Sequence, residues 1–182
     1  MAGVSRRVRN AALAVPLVVL PSGLWRIATE FVPGMEGGDT GSGTLPGWLP
    51  GEVYIVLLSV FSELVAFTAV GLIAAWGEVF PRWVPVLRGR RVPPLAVVVP
   101  AAIGAVLLTV VWTAAFAADF AGVTLQGEPT PAGYPGEAGG WTAAVYYVCY
   151  LPLLLWGPLL GLLTAAYRRR RRAERPEGIA AR

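Results

Sequence analysis

Histidine is absent from the sequence, and cysteine occurs only once, as Cys149. Without histidine, the chain lacks the commonest zinc and haem ligand and the usual base of a Ser-His-Asp site. A single cysteine cannot form an internal disulfide, a CxxC redox pair or a thiolate metal cluster. We therefore expect neither a metal site nor a cofactor.

Charged residues are also few, because only 14% of the 182 residues are charged and 55% are hydrophobic. Soluble domains carry about 25% charged residues, so this composition indicates a membrane protein. All 15 basic residues are arginines, and the net charge is +4. Because these arginines cluster beside apolar segments, we interpret them as determinants of topology and expect no nucleic-acid partner.

Four apolar segments reach the length of about 20 residues that a helix needs to cross the hydrocarbon core of a bilayer. Their approximate bounds are residues 11–32, 53–76, 95–118 and 142–167. Since lipid cannot hydrogen-bond to the backbone, each segment must be helical. The predicted fold class is all-α, a polytopic four-transmembrane-helix bundle over residues 11–167, between an N-terminal segment (1–10) and a basic tail (168–182).

The arginines are segregated to alternate connections of this predicted bundle. Fourteen of the 15 precede the first span, separate the second from the third, or follow the fourth, and Arg26 is the exception. These fourteen are Arg6, Arg7, Arg9, Arg82, Arg88, Arg90, Arg91, Arg168, Arg169, Arg170, Arg171, Arg172, Arg175 and Arg182. The positive-inside rule then predicts a multi-pass plasma-membrane protein with both termini in the cytoplasm.

A cleaved signal peptide is the alternative for the first span, because Arg6 and Arg7 precede an apolar run. That run continues through Trp25 to Val32 without a small-x-small cleavage site near its end. We expect the segment to be retained as a span.

Five consecutive arginines open the C-terminal tail: Arg168, Arg169, Arg170, Arg171 and Arg172. Such a cluster is suited to binding anionic lipid headgroups. The alternative is that it only orients the last helix. The lipid bilayer is in either case the expected partner of this segment.

The other two loops, residues 33–51 and 120–140, are rich in glycine and contain no arginine. Segments of this composition bury little apolar surface, so we expect them to be mobile and to form no folded extracellular domain.

Two ionisable residues fall inside predicted spans, where charge is costly and is a functional candidate by default. At 1.5 Å per residue, Glu63 lies about 15 Å and Arg26 about 9 Å below the outer ends of their spans. A long arginine side chain can bridge that difference, so an intramembrane Arg26–Glu63 pair is one hypothesis. The alternatives are a local Arg26–Glu30 pair or neither pair, and a real pair can serve packing alone.

Small residues recur at four-residue spacing on two predicted spans, as Gly157 and Gly161 and as Ala101 and Ala105. This spacing lets helix backbones approach closely, so we expect these residues to pack at helix contacts. Proline inside a span frees a carbonyl and can kink the helix. Prolines of this kind are Pro16, Pro21, Pro100, Pro152 and Pro158.

Three short motifs give the chain a resemblance. They are Leu24-Trp25-Arg26, Ser62-Glu63-Leu64, and W-G-E-x-x-P-R-W-x-P from Trp76 to Pro85. In this combination the chain resembles a group of four-span integral membrane proteins of GC-rich bacteria that has no established activity. The resemblance covers most of the chain and implies only that Arg26, Glu63, Glu78 and Arg82 are worth attention. Glu78 and Arg82 lie in the predicted interfacial loop between the second and third spans and could pair there.

No common catalytic signature occurs in the sequence, neither HExxH, GxSxG, a Cys/His dyad nor a carboxylate cluster. We expect a non-enzymatic structural or accessory subunit that associates with a membrane-protein partner or with copies of itself. The alternative is an oligomeric proton-coupled transporter of a small solute, in which Glu63 carries the proton.

The orientation can be tested with reporters. Fusions near Gly41 and Ala132 should read extracytoplasmic and a fusion after Arg182 cytoplasmic, because the arginine-rich connections are retained inside. A C-terminal reporter that is active only outside the cytoplasm would contradict the four-span topology.

Overall fold

A computed structural model describes residues 4–32, 48–74, 92–131 and 133–173. Its helices, in chain order, are α1 (Arg6–Phe31), α2 (Gly51–Thr68), α3 (Pro94–Phe120), α4 (Gly140–Tyr150) and α5 (Trp156–Ala173). A 3₁₀ turn, Ala69–Leu72, extends α2, and a second, Leu151–Leu155, joins α4 to α5. The described ranges contain no β-strand beyond one isolated bridge, Val123 to Pro129.

Four helical segments are long and apolar enough to cross a membrane: Arg6–Phe31, Gly51–Leu72, Pro94–Phe120 and Gly140–Ala173. The predicted all-α, four-span membrane fold is therefore confirmed. The first and last helices extend beyond the predicted apolar bounds, since arginine is a good helix former and helical hydrogen bonding does not stop at the edge of the lipid. At the start of α1, the Ser5 side chain accepts a hydrogen bond from the Val8 amide at 3.4 Å, as an N-cap does.

The bundle is arranged around α1 and the fourth span. Helix α1 packs against α2 on one flank and against α4 and α5 on the other, and α5 in turn packs most extensively against α3. The four most buried residues of α1 are at most 1% exposed and follow helical spacing. They are Ala12, Val15, Val19 and Ser22. Helices α2 and α3 are consequently peripheral.

Helix α3 shows its apolar side chains mostly outward. Only Ala105 and Phe116 of this helix are buried, whereas Leu95, Val106 and Val110 are more than half exposed. In a bilayer such side chains contact lipid tails, which are as apolar as they are.

Two sides of the bundle can be distinguished without assigning them to compartments. We call "termini side" the end at which α1 begins and α5 finishes, together with Leu72 and Val92. We call "loop side" the opposite end, where residues 121–139 connect α3 to α4.

The prolines act differently along the chain. Helix α1 continues through Pro16 and Pro21, whereas Pro152 lies in the 3₁₀ turn that interrupts the fourth span. Proline lacks the amide hydrogen that an α-helix needs, and tightening to 3₁₀ hydrogen bonds is one way to accommodate it.

The contact between α3 and α5 depends on Gly157. A Cβ atom on this residue would lie 2.6 Å from the Thr109 amide nitrogen and 2.7 Å from the Ala105 carbonyl oxygen, and it would also overlap the Thr109 hydroxyl. One turn later, a Cβ on Gly161 would lie 3.8 Å from the Ala105 Cβ, an ordinary contact. The predicted packing of Gly157, Gly161 and Ala105 at a close helix contact is confirmed.

We expect Gly157→Ala to lower stability by about 1–3 kcal/mol, because the new methyl group meets backbone atoms that cannot move aside. Gly161→Ala is the matched control, with the same added atom on the same helix but space for it, and should be nearly neutral. Thermal unfolding in detergent measures both. Equal effects of the two substitutions would show that Gly157 is not the position at which α3 and α5 approach most closely.

Candidate functional site

Arg26 lies in the loop-side half of α1, four residues after the buried Ser22, and so continues the inward face of the helix. Its Nε atom is inaccessible and has no hydrogen-bond partner. The charged group of Arg26 interacts electrostatically with Tyr150, at the end of α4. Arg26 therefore faces the fourth span, whereas one of the hypotheses drawn from the sequence paired it with Glu63 on α2.

Glu63 lies at the edge of the packed face of α2. On one side of it are the buried Ser59 and Ala66, and on the other are the exposed Val60 and Phe67. The Glu63 side chain is accordingly half-buried. Among the residues that the structure describes, no hydrogen bond or ion pair involves it.

The crossing of α1 and α2 explains why the Arg26–Glu63 pair is not formed in this structure. A Cβ on Gly23 would lie 3.7 Å from the Ser59 Cβ, so these two residues mark the same level. Arg26 is three residues from that level toward the loop side, and Glu63 is four residues toward the termini side. At 1.5 Å per residue, their backbones are about 10 Å apart along the helices.

The local alternative is not formed either. Glu30 is exposed, and in the described ranges no ion pair joins it to Arg26. The arrangement corresponds to the third possibility, in which neither pair exists. Whether Arg26 and Glu63 depend on each other energetically stays a prediction that requires measurement.

The hydroxyl groups near these charges are mostly used by the backbone. The Ser22 hydroxyl donates to the Val19 carbonyl at 2.8 Å and the Ser62 hydroxyl to the Leu58 carbonyl at 2.7 Å. The Thr29 hydroxyl lies 3.1 Å from the carbonyl oxygens of both Trp25 and Arg26. Such bonds to the preceding turn use the hydrogen of each hydroxyl, so these groups have no hydrogen left to donate to a carboxylate.

Glu78 and Arg82, the predicted interfacial pair, lie outside the described residues.

An aromatic cluster fills the loop-side half of the bundle between α3 and α4. Trp112 and Tyr150 meet edge to face with centroids 6.4 Å apart, and Tyr146 contacts Tyr150 at 4.7 Å. Phe120 stacks on Tyr147 at 5.8 Å with the rings 4° from parallel. Aromatic pairs in these geometries stabilise a contact beyond the area that they bury.

Tyr134 joins the connection between α3 and α4 to this cluster. Its hydroxyl hydrogen-bonds to the hydroxyl of Tyr146, and the two rings are 5.5 Å apart. Asp119, in the last turn of α3, interacts electrostatically with Tyr134 and Tyr147, while its Oδ2 is inaccessible and accepts no hydrogen bond from a described residue. We call this contact, made by Asp119, Tyr134, Tyr146 and Tyr147, the tyrosine latch.

The latch belongs to a loop that the sequence predicted to be mobile. Its first part closes a turn in which the Thr124 amide donates to the Glu128 carbonyl at 2.7 Å and the Thr130 amide to the Gly122 carbonyl at 3.2 Å. A second turn brings the Glu137 amide to the Tyr134 carbonyl at 3.0 Å. The described part of this loop thus contains hydrogen-bonded turns, and the half-buried Tyr134 ring packs against the buried Tyr146 ring and supplies apolar area that glycine lacks.

The environment of Tyr134 changes its acidity. Burial raises the pKa of the Tyr134 phenol to about 12, since it disfavours the phenolate, while the hydrogen bond with Tyr146 acts in the opposite direction. The negative charge of Asp119 raises the pKa further.

Sequence reasoning missed the latch, although one sign of it was present. Tyr146, Tyr147 and Tyr150 crowd one stretch of a predicted span, and the spacing of Tyr146 and Tyr150 places them on one helix face. No sequence pattern indicated that Tyr134 contacts Tyr146, because nothing local in a glycine- and proline-rich loop shows which of its residues packs against the helices.

The five arginines after Tyr167 separate into two groups, since α5 continues through them to Ala173. Arg170 donates to the Leu72 carbonyl at 3.3 Å and lies over the Tyr167 ring at 5.6 Å. Arg171 donates to the Val92 carbonyl at 3.4 Å. The arginines that remain exposed are Arg168, Arg169 and Arg172.

No group of three or more acidic, cysteine or histidine side chains in the described part of the chain could hold a metal ion. The polar groups of the bundle instead form separate sites: Glu63 at the edge of α2, Arg26 with Tyr150, and the tyrosine latch at the loop side.

Comparison with known proteins found no matching protein-family model, no matching curated protein and no matching solved structure.

A double-mutant cycle measures whether Arg26 and Glu63 interact. From their separation across the Gly23–Ser59 crossing, we expect the effects of Arg26→Ala and Glu63→Ala on thermal stability in detergent to add within about 0.5 kcal/mol. A coupling energy well beyond that value would show that Arg26 and Glu63 do form an ion pair. A second cycle with Arg26→Ala and Glu30→Ala is the control for the local alternative.

The raised pKa of Tyr134 predicts a loss of stability at alkaline pH. The unfolded phenol ionises near pH 10 and the folded one near 12, so the folded state holds the proton more tightly. Its contribution is complete below pH 10 and declines between about 10 and 12. Thermal unfolding should show this decline in the wild type, but less of it in Tyr134→Phe.

Tyr54→Phe is the control for that measurement, because Tyr54 lies on α2 and outside the latch. An identical pH profile for the wild type and Tyr134→Phe would mean that the phenol is not buried.

Proposed function

We propose that this multi-pass membrane protein is a non-enzymatic accessory subunit of a plasma-membrane assembly, with both termini in the cytoplasm. Its partner is another integral membrane protein or a second copy of the chain. The main support is the position of Glu63.

Glu63 is ionisable, lies within a span and meets no cation among the described residues. A carboxyl group in lipid is costly unless it is protonated or paired. Its place between buried Ser59 and exposed Phe67 leaves it accessible from the outer face of α2. A neighbouring transmembrane helix with a basic or hydroxyl side chain would satisfy it there.

The arrangement of the basic residues supports the proposed orientation. Arg168, Arg169 and Arg172 are exposed at the termini side, where they can contact anionic headgroups of the cytoplasmic leaflet. Arg170 and Arg171 contact the carbonyls of Leu72 and Val92, and so also connect α5 to its neighbours. Both the anchoring and the orienting role predicted for the cluster are compatible with this division.

The second candidate is an oligomeric proton-coupled transporter of a small solute, and the same residue favours it. A carboxyl group that no cation of the described chain neutralises is able to take up and release a proton. This candidate requires copies of the chain to enclose a path, whereas the accessory role requires only one contact.

The subunit proposal is tested by the size of the complex in mild detergent. Wild-type protein should migrate on native gels as an assembly larger than one chain, and Glu63→Gln should shift toward the single chain. Polar contacts between transmembrane helices contribute about 0.6–2 kcal/mol, so we expect dissociation to become several-fold easier. Glu52→Gln is the matched control, because Glu52 is an exposed carboxylate in the first turn of the same helix.

Circular dichroism establishes that both variants remain folded. A wild-type protein that migrates only as a single chain would contradict the subunit proposal. A proton flux in vesicles that Glu63→Gln abolishes, without any change in assembly size, would favour the transporter instead.

A further inference from the structure

Two hydrogen-bond donors in the loop-side half of the bundle have no acceptor among the residues that the structure describes. The Arg26 Nε is inaccessible and makes no hydrogen bond. The Tyr150 hydroxyl is not among the inaccessible polar atoms and hydrogen-bonds to no described residue. The two side chains are close enough to interact electrostatically.

No acidic group of the described residues pairs with Arg26. Asp119 interacts electrostatically with the phenols of the tyrosine latch, although its Oδ2 is inaccessible and accepts no hydrogen bond within the described ranges, and Glu30 is exposed on α1. Neither forms an ion pair with Arg26. A guanidinium in low dielectric without a counter-ion is expensive, so the charge requires an anion from outside the described chain.

The surroundings of the two donors are rigid. Helix α1 packs directly against α4, and the Tyr150 ring is held edge to face by Trp112 and at closer range by Tyr146. A phenol held by its ring keeps its hydroxyl in one place. A fixed phenol and a guanidinium fork are the kind of donors that recognise the oxygens of a phosphate or carboxylate.

We propose that the Arg26 guanidinium and the Tyr150 hydroxyl together bind one oxyanion, a phosphate or carboxylate group, between α1 and α4. Arg26 lies five residues before the loop-side end of α1 and Tyr150 ten residues after the start of α4, so their backbones are about 7 Å and about 15 Å from those ends. The level of Arg26 is within reach of a lipid headgroup phosphate drawn down beside the helix. A free anion that enters from the loop side offers the same chemistry.

The test uses purified protein exchanged into a phosphate-free maltoside detergent. Dioleoylphosphatidylglycerol is titrated and the bound lipid is counted by native mass spectrometry. Dioleoylglycerol, which has the same acyl chains but no phosphate, is the matched lipid control. Binding of free anions is measured separately by calorimetric titration with inorganic phosphate and with acetate.

Four variants determine whether the two residues form the site. Arg26→Gln removes the charge, and Tyr150→Phe removes only the hydroxyl and keeps the ring packed on Trp112. Arg9→Gln is the control for an exposed arginine of the same helix, and Tyr54→Phe is the control for a phenol outside the cluster.

We expect the wild type to bind one phosphatidylglycerol in preference to dioleoylglycerol. Arg26→Gln should weaken binding at least about tenfold and Tyr150→Phe about threefold to tenfold, whereas both controls should bind as the wild type does. Binding of inorganic phosphate or acetate with the same dependence on Arg26 would support the site with a free anion as its ligand.

Equal binding of the two lipids together with no binding of either free anion would overturn the proposal. So would wild-type affinity in both Arg26→Gln and Tyr150→Phe, or an equal loss in Arg9→Gln. If Arg26→Gln fails to fold, Tyr150→Phe decides, because it retains every apolar contact of the ring.

Discussion

A backbone that crosses lipid must satisfy its hydrogen bonds within its own helix, and the rest of this fold depends on that requirement. It makes each span a helix before any packing occurs, and leaves side-chain shape to decide how the helices associate. The closest association is at Gly157, whose hydrogen atom faces the Ala105 carbonyl and the Thr109 backbone. Because water is not expelled when helices meet in lipid, such close backbone contact supplies stabilisation that the hydrophobic effect does not.

In lipid, each of the few intramembrane polar groups needs a hydrogen-bonding or ionic partner. The hydroxyls of Ser22, Ser62 and Thr29 bond to backbone carbonyls, and the cost of their burial is thereby met locally. Arg26 and Glu63 have no comparable arrangement among the described residues. Two opposite charges in one bundle that face different neighbours point to two different external partners, an anion at Arg26 and a transmembrane helix at Glu63.

At the loop side, aromatic packing and polar contacts occur together. Glycine and proline dominate the connection between α3 and α4, yet the tyrosine latch joins it to the helices. The hydroxyls of Tyr134 and the buried Tyr146 hydrogen-bond to each other, and Asp119 interacts electrostatically with Tyr134 and Tyr147. Such a contact fastens a glycine-rich loop to the helices although the loop has no hydrophobic core of its own. It also stabilises Tyr146 beside Tyr150, and so contributes to the rigidity of the aromatic cluster that Arg26 faces.

The sequence by itself determined the number, length and helical nature of the spans, because the bilayer selects for apolar residues over a fixed length and these are local properties. It also predicted the small-residue contact at Gly157 and Gly161, since four-residue spacing is itself a local signal. Only the tertiary structure decided that Arg26 and Glu63 lie on opposite sides of the Gly23–Ser59 crossing. The level at which two helices cross is set by the shapes of both surfaces, and no spacing within either helix specifies it. For the same reason the inward contacts of Arg170 and Arg171 and the return of Tyr134 to Tyr146 became apparent only in the folded chain.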